Sequence, residues 1–320
     1  MDEQRAIQSR FHEPVLESHM TTPRRNKVDL HTHTDRSDGI LPARDLYTAM
    51  RNWGLRVAAI ADHDTLAGYR ELRDAGMGAA PSADGPQLIP AVEINSVADN
   101  ELVRRGVELE EGELHLLGYG IDADDAQFEQ RLASQREGRR TRLLLIIEAL
   151  RRLGKPIDDE IAPVLDSEEA LGRPHIARAM VRAGYVTSVD EAFDLWIDRN
   201  GPAYVPRQGM RSRDAIDAIN NAGGVAVLAH YPAAPEQPGL IDLLVGWGLR
   251  GLEVHYRRFL PETITQMIAF AAERGMLATG GSDYHGDGMS YAEAQATTWV
   301  PSAVADSLLD ALAAMGARAR

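Results

Sequence analysis

His31 and His33 stand two residues apart at the end of a short apolar run, Lys27 to His31. The two-residue period of a strand puts both imidazoles on one face, which suits chelation of a single ion. Asp38 and Gly39 follow within a turn, and Asp62-His63-Asp64 follows a second apolar run, Val57 to Asp62. Glu93 ends a third run, His115 lies in a fourth, His230 ends a fifth, and Asp283 with His285 closes a seventh. Taken singly, each histidine reads as a core or turn residue. Together, six of the ten histidines with Asp38, Glu93 and Asp283 gather at the edge of one predicted sheet. Nine nitrogen and oxygen donors exceed what one ion needs and are enough for two or three, an arrangement that can stabilise both the attacking and the leaving oxygen of a phosphoryl transfer.

The elements that must position these side chains alternate. Helix Pro42 to Trp53 opens with proline and closes at Gly54, and helix Leu66 to Ala75 precedes strand Leu88 to Glu93. A β-like stretch, Leu114 to Tyr119, follows the turn at Glu111-Gly112. After about Asp125 the pattern turns helical, with Phe128 to Leu153, Pro174 to Arg182 and Glu191 to Ile197, the last behind a Ser188/Glu191 capping box. Alternation resumes with helix Arg213 to Asn221, strand Val225 to His230, helix Leu240 to Trp247, strand Gly251 to Tyr256, helix Glu262 to Arg274 and strand Met276 to Asp283. Helix Ala303 to Met315 closes the chain. Strand-helix alternation implies a parallel sheet, and about seven strands imply a closed or nearly closed α/β barrel interrupted by a helical insertion. The expected organisation is a weakly ordered tail over 1–26, a first barrel part over 27–124, the insertion over 125–204 and a second barrel part over 205–320.

Composition narrows the chemistry. The 320 residues suffice for one large barrel with an insertion. There is no cysteine, so any metal must be held by nitrogen and oxygen, which favours Mn, Fe or Zn, with Mg as a further option. A net charge of −14 disfavours long duplex nucleic acid while leaving short phosphorylated substrates open. No run is long enough to span a bilayer and no secretory signal precedes Lys27, so a cytoplasmic protein is expected.

Three segments carry a family resemblance: V-D-L-H-T-H-T-x-x-S-D-G from Val28 to Gly39, A-I-A-D-H-D-T from Ala59 to Thr65, and G-S-D-Y-H-G from Gly281 to Gly286. The chain resembles the PHP family, the polymerase and histidinol phosphatase phosphoesterases, over about residues 27 to 125 and 205 to 300. The resemblance implies a distorted (β/α)7 barrel with a trinuclear metal site. His31, His33, Glu93 and Asp283 would hold the first ion. Glu93 would bridge to a second completed by His115 and His230, and Asp38, His63 and His285 would hold the third.

Around this set, Asp62 and Asp64 read as carboxylates that orient His63 or cap the next helix. Glu253 and His255 read as rim residues of the sixth strand, with His255 able to contact substrate or protonate the leaving group, so that Glu93, Asp283 and His255 form the expected catalytic set. Arg173 and His175 of the Gly172-Arg173-Pro174-His175 segment sit at a helix start suited to anions. They also resemble the substrate-binding insertion of small-molecule PHP phosphatases, and Arg207 is a further phosphate-binding candidate. Arg136, Arg139 and Arg140 share a helix face, read either as a solvated charged face or as a basic wall for a second phosphate.

The expected enzyme hydrolyses phosphate esters with a metal-bound hydroxide. Its leading substrates are nucleoside 3′,5′-bisphosphates or short 5′-phosphorylated RNA, and the oligomeric state is left open. Histidinol phosphate and cyclic phosphodiesters are alternatives within the family. A noncatalytic metal-stabilised module and a metal-dependent amidohydrolase are alternatives of other classes. The amidohydrolase reading would call for a carboxylated lysine where Glu93 stands.

Overall fold

The computed structural model describes residues 27–80, 85–104, 109, 112–167 and 170–318. The expected tail over 1–26 and the Glu111 half of the predicted turn lie outside them. In chain order the first half runs β1 (Val28–Asp29), α1 (Ala43–Trp53), β2 (Val57–Ile60), α2 (Ala67–Asp74), β3 (Gln87–Val97), α3 (Asn100–Arg104) and β4 (Glu113–Tyr119). The insertion follows as α4 (Ala126–Arg152), α5 (Asp158–Leu165), α6 (Arg173–Arg182) and α7 (Val189–Ala192), the last continued by a π-helical turn, Phe193–Ile197. The second half runs α8 (Ser212–Asn221), β5 (Val225–Leu228), α9 (Pro238–Gly246), β6 (Gly251–Tyr256), α10 (Pro261–Glu273), β7 (Leu277–Gly281), α11 (Tyr291–Thr297) and α12 (Ser302–Arg318). Among the described residues, no helix is long and apolar enough to cross a membrane.

The seven strands form one sheet in sequence order, and β7 returns to β1. Leu30 N donates to Gly280 O at 3.1 Å, Asp283 N to His31 O at 2.8 Å and His33 N to Tyr284 O at 3.0 Å. These bonds bring His31 and His33, which follow β1, level with the carboxylate that follows β7. Gly281 permits the approach, because a Cβ there would lie 2.5 Å from His31 Cβ. Asp29, fully buried beneath them, accepts from Ser282 N and Oγ, from Tyr291 Oη and from Gln295 Nε2. Burial raises its carboxyl against these donors.

The sheet is mixed rather than parallel as expected. β4 runs antiparallel to both β3 and β5, while the other pairings are parallel. The connection from β3 carries only the five-residue α3, not the long crossover helix of a βαβ unit, and the chain turns back on itself. Reversal has a useful consequence. The beginning of β4 now lies at the rim where β3 ends, and His115 pairs with Asn95, two residues beyond Glu93.

Three buried clusters pack the barrel with its helices, and a fourth belongs to the insertion. The 27-residue α4, capped by Asp125 accepting from Gln127 N and Phe128 N, joins them. Phe128 and Leu132 enter a barrel cluster, whereas Leu143, Ile146, Ile147 and Leu150 pack with Ile157, Ile161, Ile176 and Met180. Alternation and periodicity did not reveal α3, α5 or α11, all short. The capping box before α7 forms by half. Ser188 Oγ accepts from Glu191 N at 3.1 Å, while the Glu191 carboxylate takes Thr187 N and Oγ1 instead.

Gly281→Ala should destabilise the fold by about 1–3 kcal/mol through overpacking at the β1–β7 closure. Urea unfolding against the unsubstituted chain measures it, and an unchanged midpoint would show that the closure tolerates a side chain.

Candidate metal centre

Glu93, which lies within β3 rather than at its expected end and is 1% exposed, is the centre of the site. One oxygen, Oε1, lies 2.7 Å from His115 Nδ1 and 3.1 Å from His230 Nε2. The other, Oε2, lies 3.1 Å from His31 Nε2, 3.2 Å from His33 Nε2 and 3.2 Å from His63 Nδ1. Asp283 Oδ1 stands 3.4 Å from His31 Nε2 and 3.2 Å from His33 Nε2. Asp38 approaches His63 Nε2 at 3.4 Å and His285 Nε2 at 3.2 Å.

Among the described residues these donors form three groups whose ligand atoms all lie within 4.8 Å of one another: His31, His33, Glu93 and Asp283; Glu93, His115 and His230; and His33, Asp38, His63 and His285. All nine residues assigned from the family resemblance therefore converge. Glu93 shares two groups, as does His33.

Removing three carboxylates from water is costly unless positive charge accompanies them. Burial alone would raise all three. The imidazoles outweigh it and hold them well below the usual carboxylate range: His63, His31 and His115 for Glu93, His63 and His285 for Asp38, and His31 and His285 for Asp283. His31 is raised despite its burial, because Glu253, Glu93 and Asp283 surround it. His33 is raised to about 10 against burial by its contacts with Asp283 and Glu93.

The cluster fits divalent cations. Both ring nitrogens of His33, Nδ1 of His63 and Oδ1 of Asp38 are buried without an aligned hydrogen bond to any neighbour. Such groups cost about 1–3 kcal/mol each when left so, and a cation satisfies them together.

Backbone strain marks the same place. The only positive φ angles of non-glycine residues in the described chain are at Asp64 (51°), His230 (29°) and Asp283 (49°), each just beyond a strand of the site. Such conformations persist where surrounding contacts over-determine them. Here Glu253 supplies one of those contacts. Fully buried, it meets His31 Nδ1 at 3.0 Å through Oε1 and accepts His230 N at 2.9 Å through Oε2.

Several side chains stand elsewhere than the sequence implied. Asp62 accepts from Thr34 N, Thr34 Oγ1 and Ser37 Oγ, so it orders the loop between His33 and Asp38 rather than orienting His63. Asp64 neither caps α2 nor touches His63 through its carboxylate. It binds Arg139 Nε and Arg207 Nη2, both on Oδ2, while Arg139 Nη2 reaches Asn95 Oδ1 at 2.6 Å. Arg139 is thus buried in the site instead of lying on a solvated helix face, and Asp64 holds it above its ordinary range against burial. Burial and Arg139 push Arg207 down to about 10 against Asp64.

His255 does not line the cavity in front of the cluster, and Tyr256 does. A bulge between Glu253 and His255 shifts the inward phase of β6 by one residue, so Glu253 and Tyr256 face the site. Tyr256 Oη donates to Asp283 Oδ2 at 2.9 Å, and burial raises the phenol so that it remains a donor. Nothing in a period-two reading could reveal it. Asn95, whose Nδ2 meets His115 Nε2 at 2.6 Å, is another residue that sequence reasoning passed over.

The cavity holds about 340 Å³. Beyond the cluster residues its lining includes Arg139, Arg142, Arg173, Arg207 and Arg258, the Glu113 that pairs with Arg142, and Leu143, Ile146 and Phe193. Arg173 therefore reaches the site from the insertion, lying over the Phe193 ring and 3.4 Å from Asp198. His175 does not line this cavity. Its Nδ1 accepts from Gly172 N at 3.1 Å, closing the first turn of its own helix, and burial lowers it.

Curated proteins and solved structures resemble this chain over most of its length. It is 32% identical over 288 residues to the 5′-3′ exoribonuclease Rnm of Escherichia coli, covering 86% of this chain and 90% of that protein. It is 27% identical to the 3′,5′-nucleoside bisphosphate phosphatase of Chromobacterium violaceum, covering 82% and 88%, and 29% identical to the phosphoribosyl 1,2-cyclic phosphate 1,2-diphosphodiesterase of Eggerthella lenta, covering 81% and 94%. Among solved structures, a protein from Bifidobacterium adolescentis assigned as a metal-dependent phosphoesterase superposes with a TM-score of 0.72 at 28% identity, covering 90% of this chain and 97% of that one. An amidohydrolase from Chromobacterium violaceum, solved with sulfate and without metal, gives 0.71 at 26%, covering 86% and 98%. No family model matches the chain.

Two substitutions separate the roles. Glu93→Gln should leave far-UV circular dichroism unchanged while bound metal, by elemental analysis after reloading, falls below one ion per chain; full occupancy would remove Glu93 from the bridging position. Asp64→Ala strands two buried guanidinium groups and should cost about 3–5 kcal/mol in urea unfolding.

Proposed function

Because the chain belongs to the PHP family of metal-dependent phosphoesterases, we propose that it breaks the bond between a 3′-oxygen and its phosphate in nucleotides that also carry a 5′-phosphate. Nucleoside 3′,5′-bisphosphates and short 5′-phosphorylated oligoribonucleotides are the substrates. The observation that carries this reading is the lining of one cavity, which combines the carboxylate and imidazole cluster with five arginines around about 340 Å³, near the lower end of ligand-sized cavities.

Both substrates present two phosphates separated by one nucleoside. The arginine side, above all Arg173, binds the 5′-phosphate by charge-assisted hydrogen bonds. Arg139 and Arg207 stay oriented by Asp64 and Asn95, so that side is built before substrate arrives. Leu143, Ile146 and Phe193 offer apolar surface to the base. The second phosphate then faces the cluster. Water oxygen adds to phosphorus, the P–O3′ bond breaks and O3′ takes up a proton. The products are a nucleoside 5′-monophosphate and either inorganic phosphate or a chain that again begins with a 5′-phosphate. A phosphatase and a 5′-3′ exonuclease thereby share one bond and one geometry.

His31, His33, Glu93 and Asp283 would hold one divalent cation, Glu93, His115 and His230 a second, and Asp38, His63 and His285, with His33 beside them, a third. Such ions supply Lewis acidity, lowering the pKa of a water and offsetting negative charge on the phosphate oxygens. The nitrogen and oxygen donors suit Mn, Fe or Zn. Tyr256 keeps the Asp283 carboxylate in place through its hydroxyl, and Glu253 does the same for the His31 ring. An amidohydrolase site bridged by a carboxylated lysine lacks support, since the sequence has only two lysines, Lys27 and Lys155, and neither lines the cavity.

The test is hydrolysis by the Mn-loaded protein of a nucleoside 3′,5′-bisphosphate, a 5′-phosphorylated oligoribonucleotide, histidinol phosphate and p-nitrophenyl phosphate. The first two should be preferred. Arg173→Ala should lower kcat/KM for the bisphosphate roughly 10- to 100-fold, the loss of a hydrogen bond to a charged group. Metal content should hold, and p-nitrophenyl phosphate should suffer little. Equal losses would put Arg173 on the scissile phosphate instead, and a preference for histidinol phosphate would overturn the substrate assignment.

A further inference from the structure

A second, larger cavity adjoins the first at the cluster. It holds about 1150 Å³, more than three times the inner cavity, and the two share Pro174, Phe193, Arg258, Asp283 and His285 as lining. Its other walls come from α6, α7, the loop around Asp35 to Ile40 and the loop Gly286 to Met289 after β7. On the α4 side the inner cavity is walled by Arg139, Arg142, Leu143 and Ile146, all buried. A nucleotide chain entering it ends there. A nucleoside bisphosphate needs no more room than this, and the outer cavity would serve it nothing.

A longer substrate has to leave past its scissile phosphate, and the outer cavity borders that point through Asp283 and His285. We propose that the outer cavity binds the nucleotides downstream of the scissile phosphate, so that the protein is built for single-stranded 5′-phosphorylated chains of several nucleotides and not only for bisphosphates. This rests on the phosphoesterase reading of the inner cavity.

The lining has the chemistry of a single-strand path, cations for phosphates and apolar faces for bases. Arg178 is held by Asp287 and by the Asp38 carbonyl, and Arg257 donates to Ser282 O. Arg258, exposed at the junction of the two cavities, makes no hydrogen bond or ion pair among the described residues. Arg182 is exposed on the outer wall, where it donates to Glu160 O, and Asp190 is an exposed acid of the same lining. Ile40 is 48% exposed at the rim, and Val181, Val189 and Met289 continue the apolar surface.

Charge changes confined to the outer wall test this with the full-length, Mn-loaded protein. Probes are a nucleoside 3′,5′-bisphosphate, 5′-phosphorylated oligoribonucleotides of two to six nucleotides, and a fluorescein-labelled phosphorothioate hexanucleotide for anisotropy. The unsubstituted protein should show kcat/KM rising with length beyond the dinucleotide. Arg182→Glu should raise KM and Kd for the hexanucleotide about fivefold and flatten the dependence of log Kd on log salt, whereas Asp190→Arg should lower Kd and steepen that dependence. Neither should change bisphosphate hydrolysis, which also reports that both variants are folded. Length-independent kcat/KM, or variants that shift both substrates alike or neither, would overturn the outer-cavity assignment while leaving the inner one standing. Absence of turnover on every substrate would instead overturn the inner reading, and unchanged anisotropy in both variants would still decide against the outer one.

Discussion

One buried carboxylate meeting five imidazoles is the interaction on which the architecture turns. Glu93 presents one oxygen to His115 and His230 and the other to His31, His33 and His63. A charge so deeply desolvated has to be compensated, and with Asp38 and Asp283 beside it the compensation has to come from cations. The rest of the barrel is arranged to keep those groups from relaxing apart. Asp29 ties β1 to β7 from below, Glu253 fixes His31 and the backbone of His230, and Asp62 fastens the loop that carries Asp38. Strained φ angles at His230 and Asp283 persist under that network.

The insertion completes what the barrel begins. α4 leaves the barrel core at Phe128 and Leu132 and carries Arg139 and Arg142 past the site before it enters a core of its own. Asp64, two residues beyond Asp62 on the barrel, holds Arg139 and Arg207 by ion pairs. The same short Asp62-His63-Asp64 segment therefore orders the loop that carries Asp38, offers an imidazole to the cluster and anchors Arg139 and Arg207 of the cavity lining. The insertion contributes Arg139, Arg142 and Arg173 to the cavity lining, and the barrel contributes the acids and imidazoles together with Arg207 and Arg258.

The chain's own order established much of this. Seven apolar runs punctuated by glycine and proline, with histidines and carboxylates at their ends, carried the barrel and every cluster residue but His115 to one rim, because strand ends project neighbouring side chains there whatever the detailed packing. The absence of cysteine confined the donors to nitrogen and oxygen. What the residue order could not contain was decided by contacts between distant segments. The reversal of β4 depends on how a short connection folds back, and it alone brings His115 to the rim. The bulge in β6 depends on the fit between β6 and β7, and it exchanges Tyr256 for His255 at the site. Arg139 became buried only because Asp64, 75 residues earlier in the chain, came to neutralise it, and a local pattern of charges on a helix face cannot report a partner so far away.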